Sequence, residues 1–345
     1  MKKVIINCRY LTQALTGVQR FSLEITKTLV KGSPGIEFLG VAPKGTTPDE
    51  LETVLKIETF GYFSGQLWEQ LELPLFLKKH GNPILLNLAN SGPLLYSKNI
   101  ITLHDIAFSK DENWFSSKFT LFYCYLIPRL LKKSIHVLTV SEFSKSEIQQ
   151  YGNLTENHVT VVFNGTEHLP TRTSEVKKEN FYLTVGSLDP RKNLGMIFQV
   201  FTELGLPLKV AGGSSLNFNW DHKVFHANTI EFLGRVNDEE LFDLYAKAKG
   251  FIYLSLYEGF GIPPVEAICF GTRPIVSKIP VFNEILGDKA IYCSPLNQNE
   301  IIATLREFER VGYKNKLTVI EKNDIRNAYS WKLSAKKIEA LLLKI

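Results

Sequence analysis

Glu258 and Glu266 stand eight positions apart in the stretch FIYLSLYEGFGIPPVEAICFG, and the residues around them indicate what two such carboxylates could do. The β-prone run Phe251 to Tyr257 leads into Glu258, Gly259 and Gly261 permit a tight turn, and Pro263-Pro264 open a helix that carries Glu266. A strand, a glycine turn and a helix in this order place a carboxylate at a strand's carboxyl end, beside backbone amides and the positive end of a helix dipole. Such a junction can grip an anionic group and a polyhydroxyl group together, and a nucleoside diphosphate sugar carries both. The same pair also fits a plain loop carboxylate and a solvated first-turn residue that favours the helix dipole.

Other positions offer related chemistry. In Gly186-Ser187-Leu188-Asp189-Pro190-Arg191-Lys192-Asn193 two adjacent cations precede a helix start. They suit a diphosphate, Arg191 through its planar fork and Lys192 as a compact charge, and they equally suit a solvated turn. His104-Asp105 closes the strand Ile100 to Leu103, where a histidine either serves structure, held by a neighbouring carboxylate, or meets a ligand. Thr16-Gly17-Val18 precedes a helix whose opening amides attract anions, although one glycine specifies little.

The elements that must position these groups alternate along the chain. The first half reads as strands Lys3 to Cys8, Ile36 to Ala42, Pro83 to Leu88, Ile100 to Leu103, His136 to Val140 and Val159 to Phe163. Helices fall at Val18 to Val30, from about Lys118 to Lys133, and from Ser144, where Ser144 and Glu147 have capping-box spacing. Asn164-Gly165 is a turn signal, and the polar, helix-poor stretch Thr166 to Asn180 reads as a linker. A second series follows: strand Phe181 to Gly186, helix Asn193 to Leu204, strands Leu208 to Ala211 and Thr229 to Leu233, helix Asp238 to Ala248, then the strand before Glu258. Beyond Glu266 come strand Arg273 to Ser277, helix Val281 to Leu286, strand Ala290 to Cys293 and helix Asn297 to Arg310. The predicted fold class is α/β, two Rossmann-like domains with parallel sheets facing across a cleft, with ligands at the strands' carboxyl ends.

Composition bounds the function more loosely. A chain of 345 residues can bury two cores, and Cys8, Cys124, Cys269 and Cys293 are scattered without metal-binding spacing, so they read as core residues in a reducing compartment. The start MKKVIINCRY has too short an apolar run for a signal peptide, and no apolar stretch reaches membrane-spanning length, so a cytoplasmic location is expected. Forty basic against 35 acidic residues give a net charge of +5, which suits anionic substrates or a membrane surface but is no nucleic-acid footprint.

The Glu258 to Glu266 segment closely resembles the E-x7-E segment of retaining glycosyltransferases with the GT-B fold, glycosyltransferase family 4, and the resemblance extends over nearly the whole chain. It implies a domain 1-164, joined by a C-terminal helix 327-345, that takes the acceptor, and a domain 165-326 that takes the nucleotide-sugar donor. It implies that Glu258 bonds donor-sugar hydroxyls, that the amides of Gly259, Phe260 and Gly261 hold sugar and phosphate, and that Glu266 binds the ribose. Arg191 and Lys192 would neutralise the departing diphosphate, His104 would contact the donor sugar, Gly17 would belong to a phosphate loop, and Val236 would lie near the base. Two departures stand out: Ser187 replaces an additional arginine of many members, and Gly17 stands alone where many carry two glycines.

No Asp-x-Asp occurs, so no metal and no cofactor beyond the donor substrate is expected. The motifs TGVQRF, LHD, VSEFSK, FNG and GSLDPRKN look most like mannosyl- or rhamnosyl-transferring members, which tilts the expected donor to GDP-mannose and the role to surface polysaccharide (lipopolysaccharide) synthesis. Partners would be a nucleotide sugar and a saccharide or lipid-linked oligosaccharide acceptor. Leu67 to Lys79 and Trp114 to Lys133 could edge a peripheral contact at the inner face of a membrane, or simply be core with a solvated flank. The reading from another class is a noncatalytic nucleotide-sugar binding subunit. An oxidoreductase ranks low because the first βα turn lacks G-x-G-x-x-G.

Overall fold

The structure, a computed structural model, describes residues 2–47, 51–111, 113–171, 176–213, 229–312 and 316–345. Its contacts divide the chain into unit 1, Met1–Lys110 with Ser117–His168 and Tyr329–Ile345, and unit 2, Asp111–Ser116 with Leu169–Ala328.

In unit 1 the strands are β1 (Lys2–Asn7), β2 (Ile36–Pro43), β3 (Ile57–Phe60), β4 (Ile84–Asn87), β5 (Asn99–Thr102), β6 (His136–Thr139) and β7 (Val159–Val161). They form one parallel sheet of order β3-β2-β1-β4-β5-β6-β7. The order reverses between β1 and β4, the switch point at which an open α/β sheet leaves room for a ligand. Helices α1 (Gly17–Gly32), α2 (Gly65–Leu67), α3 (Leu73–Lys79), α4 (Ser117–Lys133) and α5 (Glu142–Gly152) cover the sheet, and a π turn, Trp68–Glu72, joins α2 to α3. Phe21, Ile25 and Leu29 at helical spacing bury one side of α1.

Unit 2 repeats the plan with β8 (Glu179–Val185), β9 (Leu208–Ala211), β10 (Ile230–Gly234), β11 (Ala248–Tyr253), β12 (Pro274–Ser277) and β13 (Ile291–Cys293). Its parallel order is β10-β9-β8-β11-β12-β13, so the reversal falls between β8 and β11. Its helices are α6 (Leu194–Leu204), α7 (Asp238–Lys247), α8 (Ile262–Cys269), α9 (Pro280–Leu286), α10 (Gln298–Val311) and α11 (Val319–Ala328). Tyr182, Phe198, Phe201, Ile252, Ile275, Leu305 and Phe308 interlock in its core.

The chain then returns to unit 1 as α12 (Trp331–Lys344). Ser330 caps this helix, and Glu167 accepts the Trp331 N–H at 2.8 Å. A Cβ at Gly165 would lie 2.2 Å from the Trp331 nitrogen, so a side chain there would push α12 away.

Several boundaries differ from the sequence reading for local reasons. The run to Tyr257 stops being strand at Tyr253, because the Leu256 N–H bonds Arg191 O at 2.7 Å instead of a sheet neighbour. Helix α5 begins at Glu142, capped by Ser141, which accepts the Ser144 N–H at 3.0 Å; Ser144 is buried inside it. Strand β3 is short, and α11 buries only Ile325 among its residues, so neither carries a strong apolar pattern. In the stretch read as linker, Glu179 and Asn180 already belong to β8, and residues 172–175 lie outside the described ones. Cys8, Cys269 and Cys293 are buried as expected, whereas Cys124 is exposed. Among the described residues no helix is long and apolar enough to cross a membrane.

Candidate active site

The loops that follow β8 and β11 bring the predicted charges of unit 2 together. After β8, Asp189 accepts the backbone N–H of Arg191 at 2.9 Å and holds its guanidinium at 2.6 to 3.2 Å, which shapes the turn Pro190–Lys192. Arg191 is therefore not the bare cation the sequence suggested; its charge is shared with Asp189 and lies 5.1 Å from the Phe115 ring. Asn193 closes the turn in the left-handed region, φ 54, with its side-chain amide donating to Pro295 O at 2.8 Å.

Lys192 Nζ then meets Glu258 Oε1 at 2.5 Å and the Tyr253 hydroxyl at 2.7 Å, while that hydroxyl donates to Glu258 Oε1 at 2.8 Å. Burial opposes ionisation of Glu258, but Lys192 and then Arg191 outweigh it and hold the carboxyl below its ordinary value. Burial likewise works against the Lys192 charge, and Glu258 with Tyr253 raises its pKa above the ordinary lysine value regardless. The pair is thus a carboxylate and an ammonium at neutral pH, in a setting where charge acts strongly.

The glycine turn completes this corner. Gly261 sits at φ 95, and a Cβ there would fall 2.5 Å from the Phe282 ring, so conformation and space both require glycine. Gly259 and Phe260 are buried beside it. Gly261 gives α8 no side-chain cap, and Pro263 and Pro264 lack N–H groups, so fewer helix-start amides are on offer than the dipole argument assumed. Glu266 is buried and accepts the Tyr245 hydroxyl at 2.9 Å, which rules out the solvated first-turn reading. Val236 is half-buried between β10 and α7, and Asn237 caps α7, pairing reciprocally with Glu240.

His104 lies in unit 1, just past the carboxyl end of β5. Its Nε2 is 3.1 Å from Leu88 O, its backbone N–H donates to Asn90 Oδ1 at 2.8 Å, and its ring meets the edge of Phe21. A carbonyl only accepts, so Nε2 carries the hydrogen and the neutral ring presents Nδ1 as an acceptor. Burial lowers its pKa, against the smaller pull of the Leu88 carbonyl and Asp105. The neighbouring Asp105 accepts the Ala107 N–H at 2.9 Å. Gly17 is exposed at the first position of α1, where the Thr16 hydroxyl bonds the Gln19 side chain and caps no amide.

Sequence reasoning passed over Tyr253, whose place in an alternating strand looks like any core aromatic. It also passed over a second buried ion pair, at the switch point of unit 1. There Arg9 Nε meets Glu69 Oε1 at 3.0 Å, and Asn7 and Ser91 donate to the same carboxylate at 2.8 and 2.7 Å. Sixty positions separate Arg9 from Glu69, so no short motif could show the pair.

Two parallel sheets of this order, each flanked by helices, are the two Rossmann-like halves of the GT-B fold. The solved structure of Anabaena Alr3699/HepE in complex with UDP and glucose shares the fold, with a TM-score of 0.76, 16% identity and 100% of both chains covered. The pattern of the family "Glycosyl transferases group 1" matches residues 166–325. Over 247 residues the chain is 30% identical to the O-antigen chain mannosyltransferase RfbU of Salmonella typhimurium, covering 70% of this chain and 69% of that protein. It is 25% identical over 351 residues to O-antigen chain mannosyltransferase B of Escherichia coli, covering 87% and 89%. The chain belongs to the group 1 glycosyl transferases and is a glycosyltransferase.

Proposed function

We propose that this chain is a retaining, metal-independent hexosyltransferase. On this reading it moves mannose, or a related hexose, from GDP-mannose to a saccharide or lipid-linked acceptor during surface polysaccharide assembly, with no cofactor besides the donor. The observation that carries the reading is the meeting of Lys192, Tyr253 and Glu258 within 2.8 Å at the carboxyl ends of β8 and β11. The ammonium is the partner a β-phosphate needs, and the carboxylate is the acceptor that sugar hydroxyls need. The names of the two O-antigen relatives support the choice of sugar and pathway class.

In the reaction the bond between the anomeric carbon and the β-phosphate oxygen breaks, and the acceptor oxygen bonds that carbon on the same face. The acceptor proton passes to the departing phosphate. Lys192, with Arg191 behind it, stabilises the charge that develops there, the work a metal does in other transferases. Glu258 orients the sugar, Gly259 to Gly261 supply amides, Glu266 binds the ribose, Val236 borders the base, and His104 accepts a sugar hydroxyl through Nδ1. Gly17 leaves the start of α1 open to a donor phosphate.

The reading places the enzyme in the cytoplasm at the inner membrane face. Leu67, Leu71 and Leu75 are exposed at a spacing of four along 65–79, ahead of Lys78 and Lys79. Leu121 and Tyr125 are exposed on α4, ahead of Arg129, Lys132 and Lys133. Apolar side chains flanked by cations suit anionic headgroups.

A thermal-shift panel of GDP, UDP and dTDP with their sugars tests the donor, since a ligand of the folded state raises Tm. GDP-mannose is expected to give the largest shift and then turnover that survives EDTA, with product of unchanged anomeric configuration by NMR. Loss of turnover in EDTA or an inverted product overturns the mechanism, and binding without turnover on any acceptor favours a noncatalytic subunit.

A further inference from the structure

Tyr253 touches both charges of the unit 2 site. It is the last residue of β11, and its ring is fixed between Phe251 and Phe282, with ring centroids 5.8 and 5.9 Å away. Phe282 is the same side chain that crowds Gly261, so the ring is braced against the glycine turn as well. A phenylalanine would fill this place equally well. The hydroxyl adds nothing to the packing and is costly to bury unless paired. It is fully used: it accepts from Lys192 Nζ at 2.7 Å and donates to Glu258 Oε1 at 2.8 Å.

Lys192 and Glu258 satisfy one another directly. On the functional reading above, on which this inference rests, a donor draws them apart: diphosphate takes the ammonium and sugar hydroxyls take the carboxylate. A direct contact between the two charges competes with both exchanges. A neutral hydroxyl does not, because it can keep one bond to each group while their other bonding positions turn to the substrate. We propose that Tyr253 is a positioning residue of the transfer reaction, its hydroxyl keeping Lys192 and Glu258 in register while each exchanges the other for the donor's diphosphate and sugar.

The test uses the full chain with whichever GDP, UDP or dTDP sugar turns over. Tyr253→Phe is expected to lower kcat about tenfold, the weight of a hydrogen bond to a charged group, while KM for the donor changes less than about threefold and Tm holds. Placed on a Glu258→Gln background, Tyr253→Phe is expected to cost little more, because the hydroxyl acts through that carboxylate. Wild-type kcat in Y253F, or the same loss on both backgrounds, overturns the proposal. Should Y253F not fold, fluorotyrosine at 253 keeps the shape and strengthens the donor, so the acid limb of the kcat/KM profile moves to lower pH; a fixed limb overturns the proposal equally. Wild-type turnover in E258Q sinks the functional reading itself, whereas an impaired E258Q beside an unimpaired Y253F removes only the part given to Tyr253.

Discussion

Each unit carries a buried ion pair at the reversal of its sheet, and the two pairs are built to different ends. Arg9 and Glu69 are sealed in unit 1, their side chains 9% and 1% exposed, with Asn7 and Ser91 bonding the carboxylate and Ser91 also accepting from Arg9. Lys192 and Glu258 in unit 2 are 16% and 12% exposed, lie just beyond β8 and β11, and share the Tyr253 phenol. The first pair has spent its bonding capacity on its own unit: it ties the start of the chain to the π turn and to the loop after β4. The second, on the proposed function, exchanges its partners for the donor. Position in a sheet therefore says where a ligand could sit, and the completeness of the surrounding bonds says whether the charges there are available to it.

The same substitution at the two glutamates is expected to separate these roles. Glu258→Gln should lower kcat/KM at least about a hundredfold, as for other groups acting on developing charge and substrate orientation, with a smaller fall in Tm than the same change at Glu69, whose pair is more deeply buried. Turnover near wild type in a folded variant would dissolve the contrast. Glu69→Gln should instead cost about 3 kcal/mol of stability in denaturant titration, because it leaves a buried guanidinium without its counter-charge, and kcat of the folded fraction should hold. Lys192→Gln is expected to weaken nucleoside diphosphate binding about tenfold by calorimetry, the loss of one charge-assisted hydrogen bond; unchanged affinity would remove the phosphate role.

The smallest effect is one of pH. His136 in unit 1 is pushed down to about 4 by burial, then by His158 and Lys344. The unfolded chain binds a proton near pH 6.5 and the folded one does not, so this contribution is intact above about 6.5 and drains away as pH falls toward 4. The lowered pKa of Glu258 makes its contribution fade only at lower pH, below the ordinary carboxylate range. Hydrogen exchange at pH 7 and pH 5 should show unit 1 loosening first, and His136→Asn should flatten that change. Equal loosening of both units at pH 5 would count against it.

The periodic parts of the fold could be read from residue order because β/α alternation is local: apolar strand runs and capped helices declare themselves within ten residues or so. The site was legible wherever its groups sit in one short motif, as Arg191 and Lys192 do before α6 and Glu258 does before the glycine turn. It was illegible where partners meet only through the sheet. Nothing near Tyr253 announces a hydroxyl between two charges, and nothing near Glu69 points to Arg9. The Asp189 clamp was visible two residues from Arg191 and went unread, because an aspartate in a turn has many uses.

The return of the last helix sets an order of assembly. Trp331, Ala335, Ile338 and Leu342 of α12 are buried in unit 1, and Thr166 bonds Tyr329 O at 3.0 Å where the chain leaves that unit and re-enters it. As the polypeptide emerges during translation, all of unit 2 is available to fold while unit 1 still lacks a wall. The half that begins first therefore closes last, and until it does the apolar flank of α1 waits uncovered for a helix not yet made.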